Sequence, residues 1–403
     1  MKIYLKNGIN GISLVFLVYS NVCFYKLDTI FIYLALNILA GILVILNNFK
    51  NKVVITKNIL WITFIFSLYI SYGVFYLQTG EFNIDRFIIS YYQCILYYLV
   101  FKSIIKQTDY VKILAIYFGM VSLLCILTMY INEGDFLNRG LRSVGNSMSG
   151  NVNTVGMSLG ILSMFMILFY AKERKLYMLL LAIIVMGIMM LTGSKKTIVY
   201  VIANIFIIYS YSKNKTVGKL VILLFGALSL YVIFGIDYFY NLLGTRIVDM
   251  LGQMGFHLNN AHYSHSTESR MTMIAEGFGF WLKNPLFGGG FNYFMANTST
   301  GYDYSHCNVT EVLCTFGVFG FVMYYFPCFS FLKNYKYLRR IDNKLTSFCL
   351  IMIFVVLIID WTAVTFSSFS TVYIPVIFTI VAKEWMIEKS NNELMDISCF
   401  EVG

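Results

Sequence analysis

Charge is scarce in this chain: 12% of its 403 residues are Asp, Glu, Lys or Arg, whereas 59% are hydrophobic. A soluble domain carries about one quarter charged residues, so the shortage excludes that class and places the chain in lipid. A disulfide framework is also lacking. Of 8 Cys, Cys307 alone falls in a connection expected outside, while Cys23, Cys94, Cys125, Cys314, Cys328, Cys349 and Cys399 lie in apolar stretches or near the C-terminal end. No small-residue cleavage site follows the first apolar segment behind Lys2 and Lys6, so that segment is expected to remain as a helix. No internal repeat is visible.

What the chain does have is long apolar stretches, at 8–24, 29–46, 59–77, 87–101, 113–131, 152–170, 176–191, 197–211, 220–236, 312–332, 345–359 and 370–382. A bilayer span takes about 20 mainly apolar residues. The expected fold is therefore an all-α polytopic membrane protein of about 12 transmembrane helices. Residues 1–236 form an N-terminal membrane region of about nine helices and 237–311 a long outer connection. Residues 312–382 bring the C-terminal spans, and 383–403 a cytoplasmic tail. Within the long connection, Met271, Ile274, Phe278, Trp281 and Leu282 recur at helical spacing and predict a short amphipathic helix on the membrane surface.

The net charge of +10 raises the question of nucleic acid, and its distribution answers it. With both termini inside, 21 of the 30 basic residues lie on the cytoplasmic side, while 12 of the 20 acids lie outside. That is the insertion signal of a membrane protein, so no nucleic-acid partner is expected and the bilayer is the partner.

Insertion treats the two cations alike, yet Arg86, Arg139, Arg142, Arg246 and Arg270, five of the 8 Arg, fall outside, against 4 of 22 Lys. Arg holds phosphate in a rigid two-pronged fork and keeps its charge when desolvated. A phosphate-bearing ligand at the outer face explains the bias; local pairs such as Asp85 with Arg86 or Glu268 with Arg270 are the alternative. Arg139 and Arg142 precede the run Gly145 to Asn151, which opens into a helix whose free N–H groups suit an anion. Thr192-Gly193-Ser194-Lys195-Lys196 repeats the arrangement in a tight turn, where two snorkelling Lys are the other account.

All four His lie in the long connection. His257, His262 and His265 lack a Cys or carboxylate at a recognisable ligand spacing and read as surface residues; no metal and no cofactor is expected. His306 stands immediately before a helix, where it either accepts a proton near neutral pH or hydrogen-bonds within the loop. Asn308 and Glu311 have capping-box spacing. Gly288, Gly289 and Gly290 either let backbone approach a ligand or make a tight turn.

In this order, the pieces resemble the bacterial O-antigen polymerase and O-antigen ligase superfamily. Arg142 through Gly145 with Asn151 and Asn153 is similar to its Arg-then-Gly/Asn segment. Gly193-Ser194-Lys195-Lys196 is similar to its Gly-Ser-Arg turn, with Lys in place of Arg. Arg270 ahead of Asn284-Pro285-Leu286-Phe287-Gly288-Gly289-Gly290 resembles its Arg and Asn-Pro-Leu-x-Gly-x-Gly turn. Ser305-His306-Cys307-Asn308 followed by Gly317-Val318-Phe319-Gly320 resembles its His-Asn and Gly-x-x-Gly pair, with Cys307 inserted.

The resemblance implies a membrane glycosyltransferase C-type fold in the bacterial cytoplasmic membrane, its active site extracytoplasmic, and undecaprenyl-pyrophosphate-linked oligosaccharide as substrate. It implies His306, Arg270 and Arg142 as catalytic residues. Arg139, Arg246, Lys195, Lys196 and Arg86 would hold pyrophosphate, and Asn153, Gly288, Gly290 and Asn308 would form the substrate loop. The implied activity is polymerisation of repeat units into capsule, exopolysaccharide or O-antigen, alongside a flippase and a chain-length regulator. A ligase of similar architecture is the alternative. A transporter is disfavoured, because the spans carry almost no charge.

Overall fold

The computed structural model describes residues 2–23, 30–48, 56–134, 148, 152–194, 196–212, 215–245, 247–248, 265–366 and 373–400. Regular structure among them is helical, apart from an isolated parallel bridge between Leu77 and Phe291. Helix is what long apolar stretches must adopt in lipid, where no water is present to satisfy a backbone N–H or C=O. The elements are α1 (Lys2–Cys23), α2 (Ile30–Asn48), α3 (Lys57–Phe75), α4 (Ile84–Ile105), α5 (Tyr110–Glu133), α6 (Val152–Glu173) and α7 (Leu176–Leu191). After them come α8 (Thr197–Tyr211), α9 (Lys215–Gly235), α10 (His265–Lys283), α11 (Tyr293–Asn297), α12 (Asn308–Ile341), α13 (Asn343–Thr362) and α14 (Ile374–Phe400).

Each of the twelve apolar stretches overlaps a helix among the described residues. Among the described residues, α3, α4, α5, α6, α12, α13 and the Ile30–Asn47 part of α2, 7 in all, are long and apolar enough to cross a membrane. Gly8–Cys23, α7, α8 and Gly226–Gly235 are shorter. Helix α14 runs on through 383–400, and α12 starts at Asn308, directly after the His306 that the sequence places just ahead of a helix; the polar side chains of its first turn are satisfied by neighbouring segments.

At the centre of the bundle stands α6, with 83% of its apolar window buried. Close packing there depends on small residues. A Cβ on Gly160 would sit 2.4 Å from the ring of Tyr200, and one on Gly156 would sit 2.9 Å from Thr192 Oγ1, so α8 and the turn before it press directly on the α6 backbone. Asn204 Nδ2 adds a 2.8 Å hydrogen bond to Ser163 Oγ across the same contact. Elsewhere, Gln93 Nε2 donates to Tyr33 Oη at 2.9 Å and to Asn37 Oδ1 at 2.7 Å, which fixes α2 against α4 in a medium offering no competing water.

Helix α12 is broken at Gly317, whose φ of 64° and ψ of −165° interrupt the hydrogen-bond ladder. The groups freed by the break are taken up by residues 284–290. Gly289 N–H donates to Cys314 C=O at 2.7 Å and Gly290 N–H to Thr315 C=O at 3.2 Å. In return, Val318 N–H donates to Pro285 C=O at 2.9 Å and Phe319 N–H to Leu286 C=O at 3.1 Å. The turn thus stands in for a missing helical turn and gives partners to four of the groups that the break frees. Next, Phe291 N–H donates to Tyr76 C=O at 2.8 Å and Gln78 N–H to Phe291 C=O at 3.0 Å, which ties the turn to the end of α3.

Candidate active site

One end of the bundle gathers the start of α4, the start of α6, the turn before α8, the middle of α10, the loop before α12 and the end of α13. Their side chains line a cavity of ≈ 1850 Å³. Its polar end holds Arg86, Asn153, Lys196, Arg270, His306 and Glu311. From there an apolar trench follows α8 and α13 along Ile202, Phe206, Phe354 and Ile358 as far as Ser210 and Ser347. These four apolar side chains are 45–55% exposed, so the trench is open along the flank of the bundle.

His306 has a left-handed backbone, φ 58°, which turns the loop sharply into α12. Its imidazole lies edge-on to the ring of Tyr304, with centroids 4.5 Å apart. Burial and the nearby charges of Arg270 and Lys196 push its pKa down to about 4. The imidazole is therefore neutral at physiological pH and offers a lone pair. Burial, with Arg270 adding to it, likewise lowers Lys196 to about 8. The mutual influence of Lys196, Arg270 and His306 places two cations and an unprotonated imidazole in one electrostatic neighbourhood.

The loop is held from behind by Asn308. Its backbone N–H donates to Ala363 C=O at 3.1 Å, and its Oδ1 accepts from Thr365 N–H at 2.9 Å and Phe366 N–H at 2.8 Å. Its Nδ2 donates to Asp360 Oδ2 at 3.2 Å. Asp360 is fully buried and also accepts from Tyr325 Oη at 2.8 Å and Thr365 Oγ1 at 2.5 Å. Asp360 is not among the residues expected from sequence. The signal that points to it is a lone carboxylate inside an apolar stretch, which persists only where partners compensate it.

The capping box expected of Asn308 and Glu311 does not form. Glu311 reaches back to a backbone N–H, that of Ser305 at 2.8 Å, while the N-cap position is Cys307 and the Asn308 side chain leaves the helix for the 360–366 segment.

Of the expected site residues, the structure brings His306, Arg270, Lys196, Arg86 and Asn153 to the cavity. Gly288 and Gly290 meet protein backbone: a Cβ on the first would lie 2.4 Å from Thr315 and on the second 2.4 Å from Tyr76 C=O. Phe291 and Asn292, which follow them, line the cavity. Arg139, Arg142, Arg246 and Lys195 lie outside the described residues, as do His257 and His262. The helix expected from Met271 to Leu282 is α10, packed on α12 through a 2.9 Å Cys314 Sγ to Gly277 C=O contact. It delivers Arg270, Met271 and Ile274 to the cavity wall.

No curated protein matches the chain. Residues 177–325 match the family model described as O-antigen ligase, a segment that runs from α7 into α12 and takes in Lys196, Arg270, the 284–290 turn, His306 and Gly317. Over that segment, which builds most of the polar end of the cavity, the chain is similar to the O-antigen polymerase and ligase superfamily of glycosyl-transferring membrane enzymes.

Proposed function

We propose that this protein joins undecaprenyl-pyrophosphate-linked oligosaccharide repeat units into a surface polysaccharide at the outer face of the cytoplasmic membrane. The observation that carries the reading is the continuity of one cavity from a cationic end to an apolar trench open along the flank. A ligand filling both parts has an anionic head and a long hydrocarbon tail, which describes a polyprenyl pyrophosphate. In the reaction, the acceptor hydroxyl oxygen bonds to the anomeric carbon as the bond from that carbon to the phosphate oxygen breaks. The polyprenyl pyrophosphate leaves with the bonding pair, and Arg270, Arg86 and Lys196 stabilise its growing charge, with Arg139, Arg142, Arg246 and Lys195 as further holders. Neutral His306 takes the hydroxyl proton. A bound anion raises the proton affinity of His306 by offsetting Arg270 and Lys196, which together with burial depress it.

The description of the matching family model names a second reading, a ligase that passes the finished glycan to another acceptor. Purified protein in liposomes with a defined undecaprenyl-pyrophosphate repeat unit distinguishes them. A ladder of products supports the polymerase, and a single transfer to a second acceptor supports the ligase. Lipid movement without any transfer overturns both.

A further inference from the structure

The cavity wall carries two kinds of polar group. Arg86, Lys196 and Arg270 suit an anion, yet Glu81 and Asp303 line the same cavity and are exposed. A carboxylate beside a bound phosphate repels it, so these two groups do not serve the pyrophosphate. They come with Asn83 from the loop between α3 and α4, and with Tyr304 from the loop before α12. The ring of Tyr304 rests against His306 and is still 44% exposed. An accessible aromatic ring covers the C–H face of a pyranose, and carboxylate and amide groups bond its hydroxyls. Together they make a surface for a polar, uncharged ring.

We propose that Tyr304 and Asp303, with Glu81 and Asn83 in the same cavity wall, form a subsite for an uncharged sugar beside His306, and that this subsite rejects uronic acids and other anionic sugars. The proposal rests on the glycan-transfer reading and names the class of sugar at the reacting bond. Contact between Tyr304 and His306 puts that sugar next to the proton acceptor. Rejection follows from the Asp303 carboxylate, since a second negative charge brought beside it is unfavourable.

The test uses the full chain in nanodiscs and measures dissociation constants for undecaprenyl pyrophosphate, bare or carrying glucose, galactose, N-acetylglucosamine or glucuronic acid. The best neutral sugar is expected to bind about tenfold more tightly than the bare lipid, and glucuronic acid no more tightly than it. Tyr304→Ala should erase the neutral-sugar gain while leaving bare-lipid binding unchanged, Tyr304→Phe should keep the gain, and Asp303→Asn, whose amide still bonds hydroxyls, should keep it and admit glucuronic acid as well. Equal binding of neutral and acidic sugars to the unaltered protein overturns the subsite, as does an equal loss for bare and sugar-bearing lipid in Asp303→Asn. If Tyr304→Ala does not fold, the Asp303→Asn and Tyr304→Phe results decide. Bare lipid that binds while no sugar adds affinity defeats the subsite alone; bare lipid that does not bind at all defeats the glycan-transfer reading as well.

Discussion

Gly317 and Gly288 meet backbone to backbone: a Cβ built on Gly317 would lie 2.6 Å from the Gly288 nitrogen, and both residues have positive φ, 64° and 72°. Two motifs separated in sequence are thus the two sides of one junction. Gly317→Ala or Gly288→Ala adds a clash with backbone to an unfavourable dihedral, and a loss of roughly 2–4 kcal/mol is expected. Gly279, whose added Cβ would meet nothing within 4 Å, is the control. Gly279→Ala should stabilise α10 by about 0.5–1 kcal/mol. Melting of the purified proteins in detergent tests the contrast, and equal melting of all three variants would remove the junction as a source of stability.

Arg270→Lys keeps the charge and loses the two-pronged fork. Turnover is expected to fall by about 10²-fold or more with expression unchanged. Product formation in liposomes measures it; polymer made at the normal rate would take Arg270 out of the reaction.

His306→Gln retains hydrogen bonding without basicity near neutral pH. Its turnover should drop by about 10²–10⁴-fold while binding of the bare pyrophosphate lipid persists. Loss of binding and turnover together would assign His306 to the substrate clamp instead.

The pH profile separates the two titrating groups. His306, lowered to about 4, is unprotonated from about pH 5 upward, so no acid limb is expected near the ordinary histidine value. Lys196, lowered to about 8, is charged below that pH and loses its charge above it. The attraction for an anionic substrate therefore weakens as pH rises through about 8. This limb belongs to kcat/KM, which reports the unliganded protein. In Lys196→Arg the limb should vanish, and its persistence would assign it to another group.

Asp360→Ala leaves three buried donors, from Asn308, Tyr325 and Thr365, without their acceptor. A cost of roughly 2–5 kcal/mol is expected. Asn308→Ala should cost a similar amount, and the double variant clearly less than the sum, because both changes break one network. Additive melting shifts would separate the two residues.

The helices were legible because membrane spans announce themselves in one dimension: among the described residues each apolar stretch overlaps a helix, and the spacing of Met271, Ile274 and Phe278 marks α10. Arg270, Lys196 and His306, which line one cavity, stand out in the sequence for three separate reasons: an Arg excess expected on the outer face, a Gly-rich turn, and a His immediately before a helix. What sequence does not encode locally is which spans meet. Nothing around Gly288 names Gly317 as its partner, and nothing around Asp360 places it behind Asn308. The turn at 284–290 has equally good turn chemistry whether it cradles a ligand or a broken helix, and only the bundle decides. Arg139, Arg142 and Arg246 belong to segments outside the described residues, so their part in the clamp stays with the proposal.

The open flank between α8 and α13 has a further implication for supply and release. A molecule that arrives past Ile202 and Phe354 diffuses within the leaflet, so its mole fraction among the lipids, and not its molarity in water, governs occupancy. On the proposed function, a finished chain departs the same way while its sugars stay in the aqueous phase, with no need to thread a growing polymer through a pore.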